Sequence, residues 1–258
     1  MNVILGEISS IVWGPFTLVL LLGVGVFLTI GLKFFSVKKI NFAFRELFGK
    51  GDKGVDGDIT PFESLMTALS ATVGTGNIAG VATAIFLGGP GAIFWMWITA
   101  FFGMATKYAE AFLAVYYREK NDNGNFIGGP MYYIKNGLHK NYSFLAYAFA
   151  IFGMIAAFGI GNGVQSNSVA QVVSNELVVS ELSVGLFLAL LVMLVILGGI
   201  TSIGKTASKL VPTMSAIYIL GGIYIIVINA ALIPEVFMLI IDSAFNTTAA
   251  SGGFAGAT

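Results

Sequence analysis

Apolar residues gather into six long runs along this chain, at about 11–33, 61–87, 90–117, 142–173, 182–200 and 209–232. Each has roughly the 20 residues that a helix needs to cross a bilayer. Two shorter stretches mix apolar and charged positions: 38-KKINFAFRELF-48, which runs into a Gly/Asp loop, and 130-PMYYIKNGL-138. Both read as amphipathic helices lying in the membrane interface. The last stretch, 233–258, begins as an amphipathic helix and then turns small and polar. A bilayer admits only helices and closed barrels, and runs of this length exclude the barrel. The pattern therefore predicts an all-α integral membrane protein.

Composition agrees. Of 258 residues, 57% are hydrophobic and 10% charged, against about 25% charged in a soluble domain. The N-terminus lacks the basic region of a signal peptide and carries Glu7, so it reads as mature sequence leading into the first span. Thirteen basic and 13 acidic residues cancel, which leaves no bulk electrostatic case for nucleic acid. With six alternating spans, every Lys and Arg from Lys33 to Lys209 falls on one side. The other side holds Glu7, Glu176, Glu181, Glu235 and Asp242. The positive-inside rule then places the N-terminus outside and the loops at 34–60, 118–141 and 201–208 in the cytoplasm. There is no cysteine and a single histidine, His139. That excludes thiol catalysis and Cys- or His-rich metal sites, and the reading is not of an enzyme.

The second apolar run contains an oddity. It opens with 60-TPFE-63, where Thr60, Pro61 and Glu63 form a capping-box signature. At its centre, however, stands 71-ATVGTGNIAG-80, rich in glycine and polar side chains. A helix from Pro61 to Leu87 would be about 40 Å long, against a hydrocarbon core of about 30 Å. The surplus points to tilt or to a break near Gly74. Unwinding there frees backbone N–H and C=O groups that lipid cannot satisfy. Amides would suit a carboxylate, and carbonyls with Thr and Asn oxygens would suit a hard cation. Close helix packing through Gly76 and Gly80 accounts for the glycine spacing equally well. The clustering of Thr72, Thr75 and Asn77 around the glycines favours a site.

A second polar cluster, 158-FGIGNGVQSNSVAQ-171, interrupts the fourth run. Its residues line an outer vestibule or begin a loop, or Gln165 and its neighbours face the break of the second run. Elsewhere, 199-GITSIGKT-206 matches a P-loop pattern, but it follows an apolar helix rather than a strand and is set aside. Lys107 and Glu110 read as an interfacial ion pair or, if functional, as part of an inner gate. Trp95 and Trp97 read as interfacial anchors.

The runs 61-PFESLMTALSATVGTGNIAGVATAIFLGGPGAIFWMWITAFFGMATKYAEAFLAV-115, 128-GGPMYYIKNGL-138 and 158-FGIGNGVQSNSVA-170 resemble the alanine or glycine:cation symporter family. Its members are prokaryotic sodium-coupled amino-acid transporters, which implies a multi-pass protein of the cell membrane. The resemblance implies a leucine-transporter-like fold of two inverted five-helix repeats. Residues 1–33 would be an extra N-terminal span, 34–60 a cytoplasmic amphipathic segment and loop, and 61–232 the first repeat, with its broken helix at 72–77. Residues 233–258 would be an extracellular amphipathic helix and the start of the missing second repeat. The implied substrate is alanine or glycine, coupled to Na⁺, with no other cofactor. Thr75 and Gly76 amides would receive the substrate carboxylate, with Asn77 beside them. Thr72 and Val73 carbonyls and the Asn77 side chain would contribute to the cation site. Gln165 and the Gly159 and Gly161 backbone would line the side-chain pocket. Family members are longer, so the resemblance also implies a missing C-terminal half as partner, without which the chain is not expected to transport. A passive channel or facilitator built on the same polar elements is the alternative reading.

Overall fold

The computed structural model describes residues 7, 11, 12, 14–48 and 57–245. The expectations for the remaining N-terminal residues, for the Gly/Asp loop at 49–56 and for the tail at 246–258 lie outside the described residues. In chain order the helices are α1 (Pro15–Gly31), α2 (Phe35–Lys38), α3 (Ile40–Phe48), α4 (Pro61–Thr72), α5 (Val81–Gly88) and α6 (Gly91–Tyr116). They continue as α7 (Pro130–Gly137), α8 (Ser143–Ala157), α9 (Ile160–Leu177), α10 (Glu181–Ile196), α11 (Gly199–Ile228) and α12 (Ile233–Ala244). A π-helix, Gly76–Gly80, lies between α4 and α5, and short 3₁₀ turns precede α8 and α12. Among the described residues the fold is all-α apart from one small ladder, β1 (Glu119–Lys120) against β2 (Phe126–Ile127). That hairpin was not foreseen. It closes because Asn121 Oδ1 accepts from the Asn123 and Asn125 N–H groups.

Lys140–Leu177 and Gly199–Ile228 are long and apolar enough to cross a membrane. Pro61–Thr72 with Gly76–Gly88 makes a third if the bent pair is one span, and Phe16–Gly31 and Glu181–Ile196 are shorter apolar helices. Phe86, Phe158 and Val178 are 87%, 84% and 93% exposed, within a surface carrying many other large apolar side chains. A water-soluble monomer does not present apolar patches on that scale. The same surface suits lipid tails, and the chain is a multi-pass membrane protein.

Two compact units divide the chain. The first comprises 1–41, 76–109 and 219–258. Within it, Gly25 lies against Phe102, where an added Cβ would stand 3.1 Å from Phe102 Cβ. Phe35 and Tyr108 rings pack 5.2 Å apart. Buried Thr29 directs its hydroxyl to the Gly25 carbonyl at 2.7 Å, which makes a polar side chain tolerable in an apolar helix. Between α5 and α6, Gly89 takes φ +71°, a left-handed turn that a side chain would oppose.

The second unit comprises 42–75 and 110–218. Its buried centre is Met66 of α4 with Ala207 and Val211 of α11, flanked by Phe62 and Leu69. Gly204 lets the helices approach: an added Cβ would lie 3.3 Å from Ile59 Cγ2 and 3.4 Å from Glu63 Cβ. Gly204, Ala207 and Val211 form one face at i, i+3 and i+7. This contact corrects the expectation of a cytoplasmic loop at 201–208. The segment is already helical from Gly199, because its small residues pack against α4.

Candidate functional site at the helix break

The start of α4 is fixed by its cap. Thr60 N–H donates to Glu63 Oε2 at 2.9 Å, and Glu63 N–H donates to Thr60 Oγ1 at 3.2 Å, with Pro61 in the first turn. A cap of this kind contributes on the order of 1 kcal/mol. The helix then runs to Thr72, whose hydroxyl donates to the Ala68 carbonyl at 2.9 Å. Val73 is extended, with φ −88° and ψ 113°, and its N–H closes the last turn onto the Leu69 carbonyl. The local chain bends by 56° between Pro61–Thr72 and Gly76–Gly88. Non-helical backbone is confined to Val73 and Gly74, narrower than the expected 72–77 break. Gly76 and Asn77 belong to the π-helix, whose i→i+5 pattern widens the turn, so both are helical rather than unwound.

At this break the Thr75 N–H donates to Gln165 Oε1 at 3.2 Å, joining residues 90 apart in sequence. Gln165 comes from α9, which starts after α8 closes through Phe158 and Gly159 N–H bonds to the Ile155 and Ala156 carbonyls. Gly159 is the N-cap of α9, and Gly161 lies in its first turn. An added Cβ at either would meet nothing within 4 Å. The polar run of α9 satisfies itself in part: Ser166 Oγ donates to the Asn162 carbonyl at 2.7 Å, and Asn162 Oδ1 accepts the Gly163 N–H at 2.8 Å. Between α9 and α10 lies a groove of about 490 Å³, lined by Asn162, Gln165 and Ser166 on one side and Leu188, Ala189 and Val192 on the other. Gln165 therefore both lines the groove and reaches the break.

A central break in an apolar helix, met by an amide from a second interrupted helix, is the layout of transporter sites. Residues 1–258 match the Sodium:alanine symporter family. The chain belongs to that family. It is 53% identical over 256 residues to the Sodium/alanine symporter AgcS of Methanococcus maripaludis, covering 98% of this chain and 56% of that one. It is 48% identical to an uncharacterized transporter of Haemophilus influenzae, covering 99% and 56%. To the probable sodium/glutamine symporter GlnT of Bacillus subtilis it is 38% identical, covering 98% and 52%. The chain thus spans a little over half the length of these relatives.

Of the residues expected to form a sodium:alanine symporter site, the structure brings Gln165 to Thr75. Thr72 and Val73 stand at the C-terminal end of α4, where carbonyls outrun the intrahelical ladder and carry partial negative charge. Asn162 and Ser166 belong to the polar run that the sequence offers as vestibule lining, and here they line the groove beside Gln165. The i, i+3, i+4 spacing of Asn162, Gln165 and Ser166 was the signal available. Gly74 was missed as a contact, and no local pattern announces it.

Proposed function

We propose that this chain supplies the broken-helix part of a secondary active transporter that moves alanine or glycine inward together with Na⁺. The observation that carries the reading is the Thr75–Gln165 hydrogen bond at the break of α4, in a chain of the symporter family. Two different acceptors suit the two ends of such a break. Backbone N–H groups beyond it, at Gly76 and, where a carboxylate would take the place of Gln165 Oε1, at Thr75, favour a carboxylate. Carbonyls before it, at Thr72 and Val73, with the Asn77 amide oxygen, are the hard donors that Na⁺ takes. The Thr72 hydroxyl hydrogen is directed to Ala68, which leaves its oxygen lone pairs as acceptors. Gln165 and the glycine backbone at Gly159 and Gly161 would bound a pocket small enough for a methyl group or a hydrogen. No covalent step is involved. Coupling arises because each ligand stabilises the arrangement the other needs.

The test is uptake by proteoliposomes containing the whole protein. Labelled alanine or glycine should enter only with an inward Na⁺ gradient, and an ionophore that collapses the gradient should abolish accumulation. Uptake indifferent to Na⁺ would defeat the coupling. Gln165→Ala should raise the half-saturating alanine concentration by about severalfold, the worth of one neutral hydrogen bond that positions the pocket wall.

A further inference from the structure

Gly74 is not required by its own backbone, because its φ lies outside the left-handed range and admits any L residue. What a side chain would meet there is the amide head of Gln165, the end of a flexible side chain that would have to shift. A Cβ built on Gly74 would fall 2.9 Å from Gln165 Cδ and 3.0 Å from its Oε1, with Nε2 nearer still. Real Cβ atoms do not approach that closely, and the obstruction is the amide head whose Oε1 accepts the Thr75 N–H. The glycines at 161 and 163 on the neighbouring helix meet nothing comparable. We propose that Gly74 is a positioning residue: its bare Cα is the seat on which the Gln165 amide rests, one residue before the N–H that holds it. A methyl at 74 evicts the amide, frees the Thr75 N–H and takes Gln165 out of register with the break. The consequence for substrate rests on the function proposed above, whereas the seat itself is testable without substrate.

The experiment uses the full chain in nanodiscs, with hydrogen exchange read on peptides covering residues 70–80 and with thermal unfolding. Gly74→Ala and Gln165→Ala should each speed exchange at Thr75 by about tenfold, the loss of one hydrogen bond. The pair Gly74→Ala with Gln165→Ser should exchange no faster than either single variant, because both remove the same contact. It should also melt higher than Gly74→Ala alone, since the shorter side chain leaves room for the methyl. The inference is overturned if Gly74→Ala leaves Thr75 exchange unchanged, or if its thermal cost is the same whatever stands at 165. Should Gly74→Ala fail to fold, a folded double variant supports the seat and an unfolded one sinks it. If the exchange results hold but alanine uptake by Gly74→Ala is normal, the seat stands and the substrate role of Gln165 falls.

Discussion

An indole N–H is a lone donor on a large apolar ring, and Trp95 directs it to the carbonyl of Ala244 at 2.6 Å. Ala244 closes α12, so the contact satisfies one of the carbonyls that a helix end leaves without a partner. The ring also packs against Phe94 and Phe245, at 5.5 and 6.4 Å between centroids. Beside it, Gly91 gives the Ser243–Ala244 backbone room, with Ala244 N only 2.6 Å from an added Cβ. Trp95→Phe keeps the ring and deletes the donor. It should cost about 1 kcal/mol, read as roughly fivefold faster exchange in the last turn of α12. Trp97, half exposed and stacked on Phe237 with centroids 6.5 Å apart, has no such donor role here, and Trp97→Phe should leave that exchange unchanged. The two tryptophans read alike in the sequence, as interfacial anchors, because composition records where an indole sits and not what its N–H faces.

Among elements, the α4–α11 contact leaves little room at Gly204. Gly204→Leu would force a branched side chain between Ile59 and Glu63 and separate the helices around Met66, Ala207 and Val211. Overpacking of this kind costs about 1–3 kcal/mol, and the variant should melt lower while Gly161→Ala, which faces open space, should not. The same contact shows why sequence stopped short at this place. Lys205 and Lys209 made 201–208 look like a basic loop, whereas Gly204, Ala207 and Val211 are small or branched residues that become a packing face only once α4 is opposite them. Where the information was local it was readable: Thr60, Pro61 and Glu63 announce the start of α4, and the capping box is there. In the expected break at 72–77, only Val73 and Gly74 are non-helical. Gly76 and Asn77 are poor helix formers in isolation, but a π-turn accommodates both. The β1–β2 hairpin was overlooked although 121-NDNGN-125 contains the Asn-Gly turn signal, hidden inside an otherwise helical chain. Gly74 was legible only as a helix breaker, because its partner is 91 positions away.

For the whole molecule, the charge asymmetry that six spans would give, as the apolar runs of the sequence predict, makes a topological proposal with a direct check. Residues 1–258 hold no cysteine, so a single cysteine introduced among them meets no background from this stretch. With the N-terminus outside, a membrane-impermeant thiol reagent on intact cells should label a cysteine at Glu235 and spare one at Asn123 in the hairpin turn. The reverse pattern would invert the orientation. Finally, the bond from Trp95 to Ala244 joins positions 149 residues apart, which has a consequence in time rather than space. A ribosome adding about 5–20 residues per second needs on the order of ten seconds to reach Ala244 after Trp95. For that interval the head of α6 is already made while its partner is not. Its early companions come from the earlier helices, the translocon or lipid, and the contact with α12 is among the last that the described chain can form.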